Sequence, residues 1–234
     1  MLKIKNLTVH YEKALAVDNV SLEVPEGAVV IIIGSNGAGK STIMKALSGL
    51  VPLTSGEIWF QGMRIDGMAI HEIVKLGLVH IPEGRRIFSD LSVLTNLKMG
   101  VFLRKDKAGI KKDMDKSFEY FPILFDKRHQ KAGTLSGGQQ QMLAIARGLV
   151  AKPKLLLMDE PSLGLSPKLV HELAPVIKSI NQSGVSVLMV EQNVSLALQV
   201  ADRGYVLQVG KIILKGERDE LMGNEIIKKA FLGG

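Results

Sequence analysis

The sequence predicts an α/β fold, in which a mostly parallel sheet is covered by helices on both sides and a helical lobe is inserted into it. Three observations point there. Ala28–Ile33 is a short, continuous apolar run, the pattern of a strand buried on both faces, and Leu155–Met158 and Val185–Val190, the latter broken only by Ser186, read as strands beside it. Helical stretches alternate with them, as parallel sheets require. Between Leu91 and about Thr134 the composition becomes charged and poor in β-formers, which marks the inserted lobe.

Taken in order, Leu2–Val9 alternates imperfectly and reads as a strand, and Ala16–Val24 contains another. The buried run Ala28–Ile33 leads through a glycine-rich turn into a helical stretch, Lys40–Leu50. Glu57–Phe60 and Gly77–Ile81 are short strands. Ser92–Leu103 and Asp106–Phe121 read as helices of the lobe, followed by a link to Thr134. Gly138–Val150 is a helix and Leu155–Met158 a strand. Pro167–Gln182 is a helix with proline in its first turn, where the missing N–H has no partner to lose. Val185–Val190 is a strand and Val194–Val200 a helix. Tyr205–Val209 and Lys211–Leu214 form a hairpin about Gly210, and Glu217 onward is helical, ending in Gly233-Gly234. One domain over 1–234 is expected, its core lobe about 1–90 and 135–234, its helical insertion about 91–134.

Composition removes several classes of function. The chain has 234 residues, 46% of them apolar, and no cysteine, so disulfides and thiolate metal sites are excluded. No apolar run approaches the roughly 20 residues of a spanning helix, and from the start Met1-Leu2-Lys3-Ile4-Lys5 no secretion signal is expected. The net charge of +7 is spread thinly, with small clusters at Arg85-Arg86, Arg104–Lys112 and Lys127–Lys131. No zinc-finger spacing or basic stripe with interleaved aromatics accompanies it, so nucleic acid is not expected as a partner. Acidic lipid headgroups account for the excess equally well.

Gly34-Ser35-Asn36-Gly37-Ala38-Gly39-Lys40-Ser41-Thr42 matches the glycine-rich phosphate loop in full, and it lies between a buried strand and a helix. Small residues let backbone N–H groups converge on a β-phosphate, and the helix N-terminus favours negative charge. Lys40 should reach the β- and γ-phosphates, and the Ser41 hydroxyl should hold Mg2+. Leu155-Leu156-Leu157-Met158-Asp159-Glu160 supplies the complementary half. Asp159, at a strand end, can bind the Mg2+ or its water shell, and Glu160 is placed to orient or deprotonate an attacking water. ATP and Mg2+ are therefore the expected cofactors.

Leu135-Ser136-Gly137-Gly138-Gln139 resembles the signature sequence of the ATP-binding domains of ABC transporters, and with the two motifs above the likeness extends over essentially the whole chain. It implies a P-loop NTPase core with an N-terminal antiparallel β subdomain and an inserted helical subdomain. It further implies that Ser136, Gly137, Gly138 and Gln139 meet the γ-phosphate on a second subunit, two ATP molecules being sandwiched head to tail. Tyr11 lies where the family stacks a ring on adenine. Pro82-Glu83-Gly84-Arg85-Arg86-Ile87-Phe88, Leu135–Ala146, Pro161–Leu165 and Val190-Glu191-Gln192-Asn193 are similar to the smaller, LivF-type ATP-binding subunits of high-affinity branched-chain amino-acid importers. That resemblance implies a LivG-like second ATPase, two membrane-spanning permease subunits and, indirectly, a periplasmic or extracellular solute-binding protein. The chain would sit peripherally on the cytoplasmic face of the inner membrane. Relatives carry urea, short amides or other amino acids. ABC ATPases acting on nucleic acid or ribosomes usually carry two ATP modules or a long coiled-coil insert, which this chain lacks.

Three positions depart from the commoner family pattern. Glu83 stands where most members have a glutamine touching Mg2+, Gln192 where they have a switch histidine, and Ser166 where they have an aspartate. Glu83 sits at the junction of nucleotide site and helical insertion, and apolar residues around Ile87, Phe88, Leu91 and Val93 are expected to be exposed there for a membrane subunit. A neutral Gln192 amide can donate to a γ-phosphate but carries no positive charge. Gln192→His is therefore expected to raise ATP turnover of the isolated chain; unaltered or lower turnover would refute a rate limit at Gln192.

Overall fold

In the computed structural model, residues 1–225 and Ile227 are described. The chain opens with strands β1 (Leu2–Tyr11), β2 (Ala14–Val24) and β3 (Val29–Ile33), then helix α1 (Lys40–Leu47). Next come β4 (Ser55–Phe60), β5 (Met63–Arg64), α2 (Ile70–Leu76) and β6 (Leu78–Ile81). The helical stretch holds α3 (Val93–Gly100), α4 (Lys107–Tyr120), α5 (Pro122–Asp126) and a 3-10 turn, Ala132–Thr134. It passes into α6 (Gly137–Leu149), β7 (Leu155–Asp159), α7 (Pro167–Gln182) and β8 (Ser186–Glu191). The chain continues through α8 (Val194–Val200), β9 (Arg203–Gln208), β10 (Lys211–Glu217) and α9 (Arg218–Gly223). The expected ending at Gly233-Gly234 lies outside the described residues.

Two sheets result. One is antiparallel, in the order β2-β1-β4-β5; the other runs β10-β9-β3-β8-β7-β6. In the second, β9, β3, β8, β7 and β6 are parallel, and β10 closes the edge antiparallel to β9. The fold is thus the predicted one, with an N-terminal antiparallel sheet beside a largely parallel core.

The continuous apolar runs bury both faces of the parallel sheet, and the two-residue side-chain period divides them between two cores. Val29, Ile31 and Ile33, with Leu156, Met158, Val187 and Met189, face the core formed with α6, α7 and α8. Val30 and Ile32, with Leu155, Leu157, Leu188 and Val190, face α1 and the antiparallel sheet. Tyr205 ties the two layers together, its hydroxyl accepting from Glu23 N–H at 3.0 Å.

Helix ends follow their sequences. Ser136 and Gln139 form a reciprocal cap on α6, Ser166 caps α7 ahead of Pro167, and Asn193 caps α8. Sequence reading passed over α2, because Ala69 precedes it where a capping side chain is usual. Its start is secured from within by Glu72 Oε2, which accepts from Ala69 N–H at 3.2 Å, and its end by Gly77 at φ 102°. The helix after the phosphate loop ends at Leu47, three residues early, where Ser48 Oγ turns back to Met44 O and Lys45 O.

The helical stretch begins and ends at one place. Ala132 N–H donates to Leu91 O, and Val93 N–H to Gln130 O. Val93 and Leu97 are fully buried, in the same apolar cluster as the parallel sheet. Val93 is therefore not an exposed apolar residue, contrary to expectation, because the first turn of α3 points inward. Arg104, in the basic cluster after α3, is held by Asp106 and Asp113 and donates to Val150 O at 2.7 Å.

Asn96, fully buried on α3, fastens the segment entering this stretch. Its Oδ1 accepts from Phe88 N–H at 2.9 Å and its Nδ2 donates to Phe88 O, Leu91 O and Ser92 O. Asn96→Leu would leave buried backbone groups unpaired and is expected to lower stability by about 1–3 kcal/mol. Urea unfolding would show this as a lower midpoint at constant slope.

Candidate nucleotide site

The site lies outside the carboxyl ends of the parallel strands, where ligands bind in open α/β sheets. The loops after β3, β6 and β7 converge there on a cleft of about 430 Å³, and the β9–β10 turn closes one side. Its lining includes Asn36, Gly37, Ala38, Gly39, Lys40, Ser41, Thr42, Glu83 and Glu160.

The loop between β3 and α1 takes its shape from its glycines. Gly39 has φ 104°, and a Cβ there would lie 2.6 Å from Ala16 O. A Cβ on Gly34 would come within 2.5 Å of Leu207 O. The β9–β10 turn braces the loop, Gly210 N–H donating to Ala38 O at 2.9 Å. No side chain caps the start of α1, so its first N–H groups are available to an anion.

Charge is concentrated around Lys40. Its ammonium, 4% exposed, donates to Gly34 O at 2.9 Å and Ser35 O at 3.1 Å, and pairs with Glu160 Oε1 at 2.8 Å. Glu160 holds φ 46°, a left-handed backbone unusual for a side chain of its size, fixed by its N–H donating to Val190 O at 3.0 Å. Ser41 Oγ donates to Asp159 Oδ1 at 3.0 Å.

Burial is the largest influence on Asp159, pushing its carboxyl up to about 6; the negative charges of Glu83 and Glu160 act the same way, against the Ser41 hydrogen bond and Lys45. A concentration of negative charge beside a hydroxyl oxygen fits a hard divalent cation. Among the described residues no group of three or more His, Cys, Asp or Glu could hold a metal ion by itself. Mg2+ fits such a site when phosphate oxygens complete its shell.

The other expected residues are placed as follows. Tyr11 ends β1, is 43% exposed, and is not among the residues lining the cleft. Gln192 is exposed just after β8. Ser136 and Gly137 begin α6, away from this cleft, with Ser136 exposed. Gly138 is buried, and a Cβ on it would meet Leu169 Cδ1 at 2.2 Å. Gln139 Oε1 is occupied, accepting from Ser136 N–H and from Lys127 Nζ.

Two arginine contacts go beyond what the sequence leads us to expect. Arg85 and Arg86 both have positive φ, 65° and 43°, which turns the Arg85 guanidinium onto Gly137 and towards Gly164. Arg147, on α6, donates to Arg86 O at 2.6 Å and lies over the Phe88 ring at 5.3 Å. Neither contact has a local signal, since each depends on which loops the fold brings together.

The family model described as ABC transporter matches residues 17–163. The chain belongs to this family. It is thus an ATP-binding and ATP-hydrolysing P-loop enzyme that couples hydrolysis to transport of a solute. This ABC ATPase is 44% identical, over 100% of both chains, to the high-affinity branched-chain amino-acid transport ATP-binding protein BraG of Pseudomonas aeruginosa. It is 34% identical over 100% of its length to a probable LivF of Archaeoglobus fulgidus, covering 99% of that protein. It is also 34% identical to the lipopolysaccharide export ATP-binding protein LptB of Haemophilus influenzae, over 100% and 97% of the two chains. In structure it is similar to the ADP conformation of another ABC transporter cassette, with TM-score 0.87 and 27% identity over 100% and 99% of the chains. No helix among the described residues is long and apolar enough to cross a membrane.

The raised Asp159 carboxyl has a signed consequence. Between its ordinary value near 3.8 and about 6 the folded chain holds a proton that the unfolded chain releases, so stability falls as pH rises through that window. Asp159→Asn is expected to remove this slope and raise stability at pH 7 by at most about 3 kcal/mol. It should also weaken Mg2+-dependent nucleotide binding. Thermal unfolding from pH 4 to 8, with and without Mg2+ and ATP, checks both.

Proposed function

We propose that this ABC ATPase energises import of branched-chain amino acids, leucine, isoleucine and valine, through a membrane transporter. The observation that carries the reading is the 44% identity to BraG across the full length of both proteins. The partners would be a LivG-like second ATPase, two membrane-spanning permease subunits and a solute-binding protein outside the membrane. The chain would sit peripherally on the cytoplasmic face, with the exposed Phe88 among the residues offered to the permease.

Within the site, the backbone N–H groups from Ser35 to Thr42 would cradle the phosphates. Lys40 would give up its Gly34 and Ser35 carbonyls and Glu160 in exchange for phosphate oxygens. Glu160, released from the ammonium, would then accept a proton from the attacking water. Ser41 and Asp159, with Glu83 alongside, would hold Mg2+, which supplies charge neutralisation to the phosphates. Gln192 would donate its amide to the γ-phosphate, and Tyr11, exposed on the β1–β2 turn, would stack on adenine. Ser136 and Gly137 would meet the nucleotide of the opposed subunit. Gly138 and Gln139 would support that surface through packing on Leu169 and through the cap on Ser136.

A second reading rests on the LptB likeness, in which the solute is lipopolysaccharide and moves outward. One experiment decides between them. The complex purified from membranes through this chain, reconstituted in vesicles, is expected to raise its ATP turnover with leucine-, isoleucine- or valine-loaded binding protein. Stimulation by lipopolysaccharide alone, or by another amino acid or urea alone, would replace the solute assigned here.

A further inference from the structure

Glu191, the last residue of β8, has no part in the phosphate chemistry above, yet it is a carboxylate only 1% exposed at the edge of the site. Its Oε1 accepts from Ser162 N–H at 2.9 Å. Its Oε2 accepts from Ser162 Oγ at 2.9 Å and from Asn193 N–H at 3.2 Å. All three partners donate, as suits an ionised carboxylate, which only accepts. Burial pushes the Glu191 carboxyl up, and these donors oppose that. Among the described residues no lysine, arginine or histidine forms an ion pair with it.

A buried charge without a counter-ion is a poor device for stability alone, since an apolar side chain of similar size commonly does as well. What this one does is geometric. Ser162 lies two residues after Glu160, and Asn193 directly follows Gln192. One carboxylate therefore grips both turns that flank the expected γ-phosphate position. Beside it, Glu160 N–H donates to Val190 O, and Leu163 N–H to Glu160 O. The left-handed backbone at Glu160 persists only where its surroundings over-determine it, and the hold on Ser162 is part of those surroundings.

We propose that Glu191 is a positioning residue for ATP hydrolysis: it fixes the turn bearing Glu160 against the turn bearing Gln192, setting the base relative to the γ-phosphate donor. The inference rests on the roles given to those two residues above. Both carboxylate oxygens of Glu191 are taken up by Ser162 and Asn193, and Glu191 does not line the cleft, so its effect falls on the chemical step and spares nucleotide binding at Lys40 and the phosphate loop.

The test compares the full-length chain with Glu191→Gln, Ser162→Ala and the double variant, measuring kcat, KM, ATP affinity by calorimetry, and Tm. Glu191→Gln keeps the shape but sets an amide NH2 against donors. It is expected to lower kcat about 10- to 100-fold, as displacement of a reacting group does. KM and ATP affinity should stay within about twofold, and any fall in Tm from the buried donor mismatch should leave the chain folded at the assay temperature. Ser162→Ala should lower kcat less, and the double variant should be no slower than Glu191→Gln, because both changes cut one linkage. An unaltered kcat, a kcat loss matched by weaker ATP binding, or additive effects would overturn the proposal. Should Glu191→Gln fail to fold, Ser162→Ala decides: reduced kcat at unchanged affinity supports the linkage, and unchanged kcat overturns it. Failure of the underlying roles reads out separately, as Glu160→Gln hydrolysing ATP at the wild-type rate.

Discussion

The site is organised around one buried ion pair, the Lys40 ammonium against the Glu160 carboxylate at 2.8 Å. Each group is expensive to bury alone, and a pair this enclosed is tolerated because further polar groups complete it. Lys40 also turns to two carbonyls of its own loop, while the backbone of Glu160 is tied to β8. On the roles proposed above, phosphate binding would be an exchange of partners. The incoming oxygens would have to outcompete a carboxylate and two carbonyls for one ammonium, and the displaced carboxylate would be free to activate water. Occupancy and chemistry would thereby be linked through a single contact.

The surrounding acids make that contact matter more. Asp159, Glu160 and Glu83 are close enough that the last two help keep a proton on the first. On the proposed roles a divalent cation would relieve this repulsion while Lys40 met the phosphates, so cation and nucleotide would favour one another's binding. Glu83 comes from the segment that leads, by way of Phe88 and Asn96, into the helical stretch. The acid cluster therefore has a covalent route to the part of the molecule expected to meet the membrane subunits.

Much of this was legible from residue order. The phosphate loop, the acidic pair and the serine-capped helix are local patterns whose geometry follows from glycine conformation, strand burial and capping chemistry, and Gly39, Ser41, Asp159 and Ser136 lie where those patterns put them. The alternating sheet and helices were legible for the same reason, with Pro167–Gln182 and Val194–Val200 placed to the residue. What escaped was set by tertiary contact. The inward turn of Val93, the burial of Gly138 beneath Leu169 and the approach of Arg85 to Gly137 depend on neighbours far away in sequence. Glu191 escaped because the sequence around it reads as a strand end, and its donors come from another loop.

The division of β3 between two cores has a mechanical corollary. Neighbouring residues of the strand belong to opposite faces, so sliding it by one position would turn its whole apolar set to the wrong side. The central ribbon is in effect keyed against translation. Displacement started at its mouth must travel as hinge bending in the connecting turns, or as pivoting of whole helices about a fixed spine.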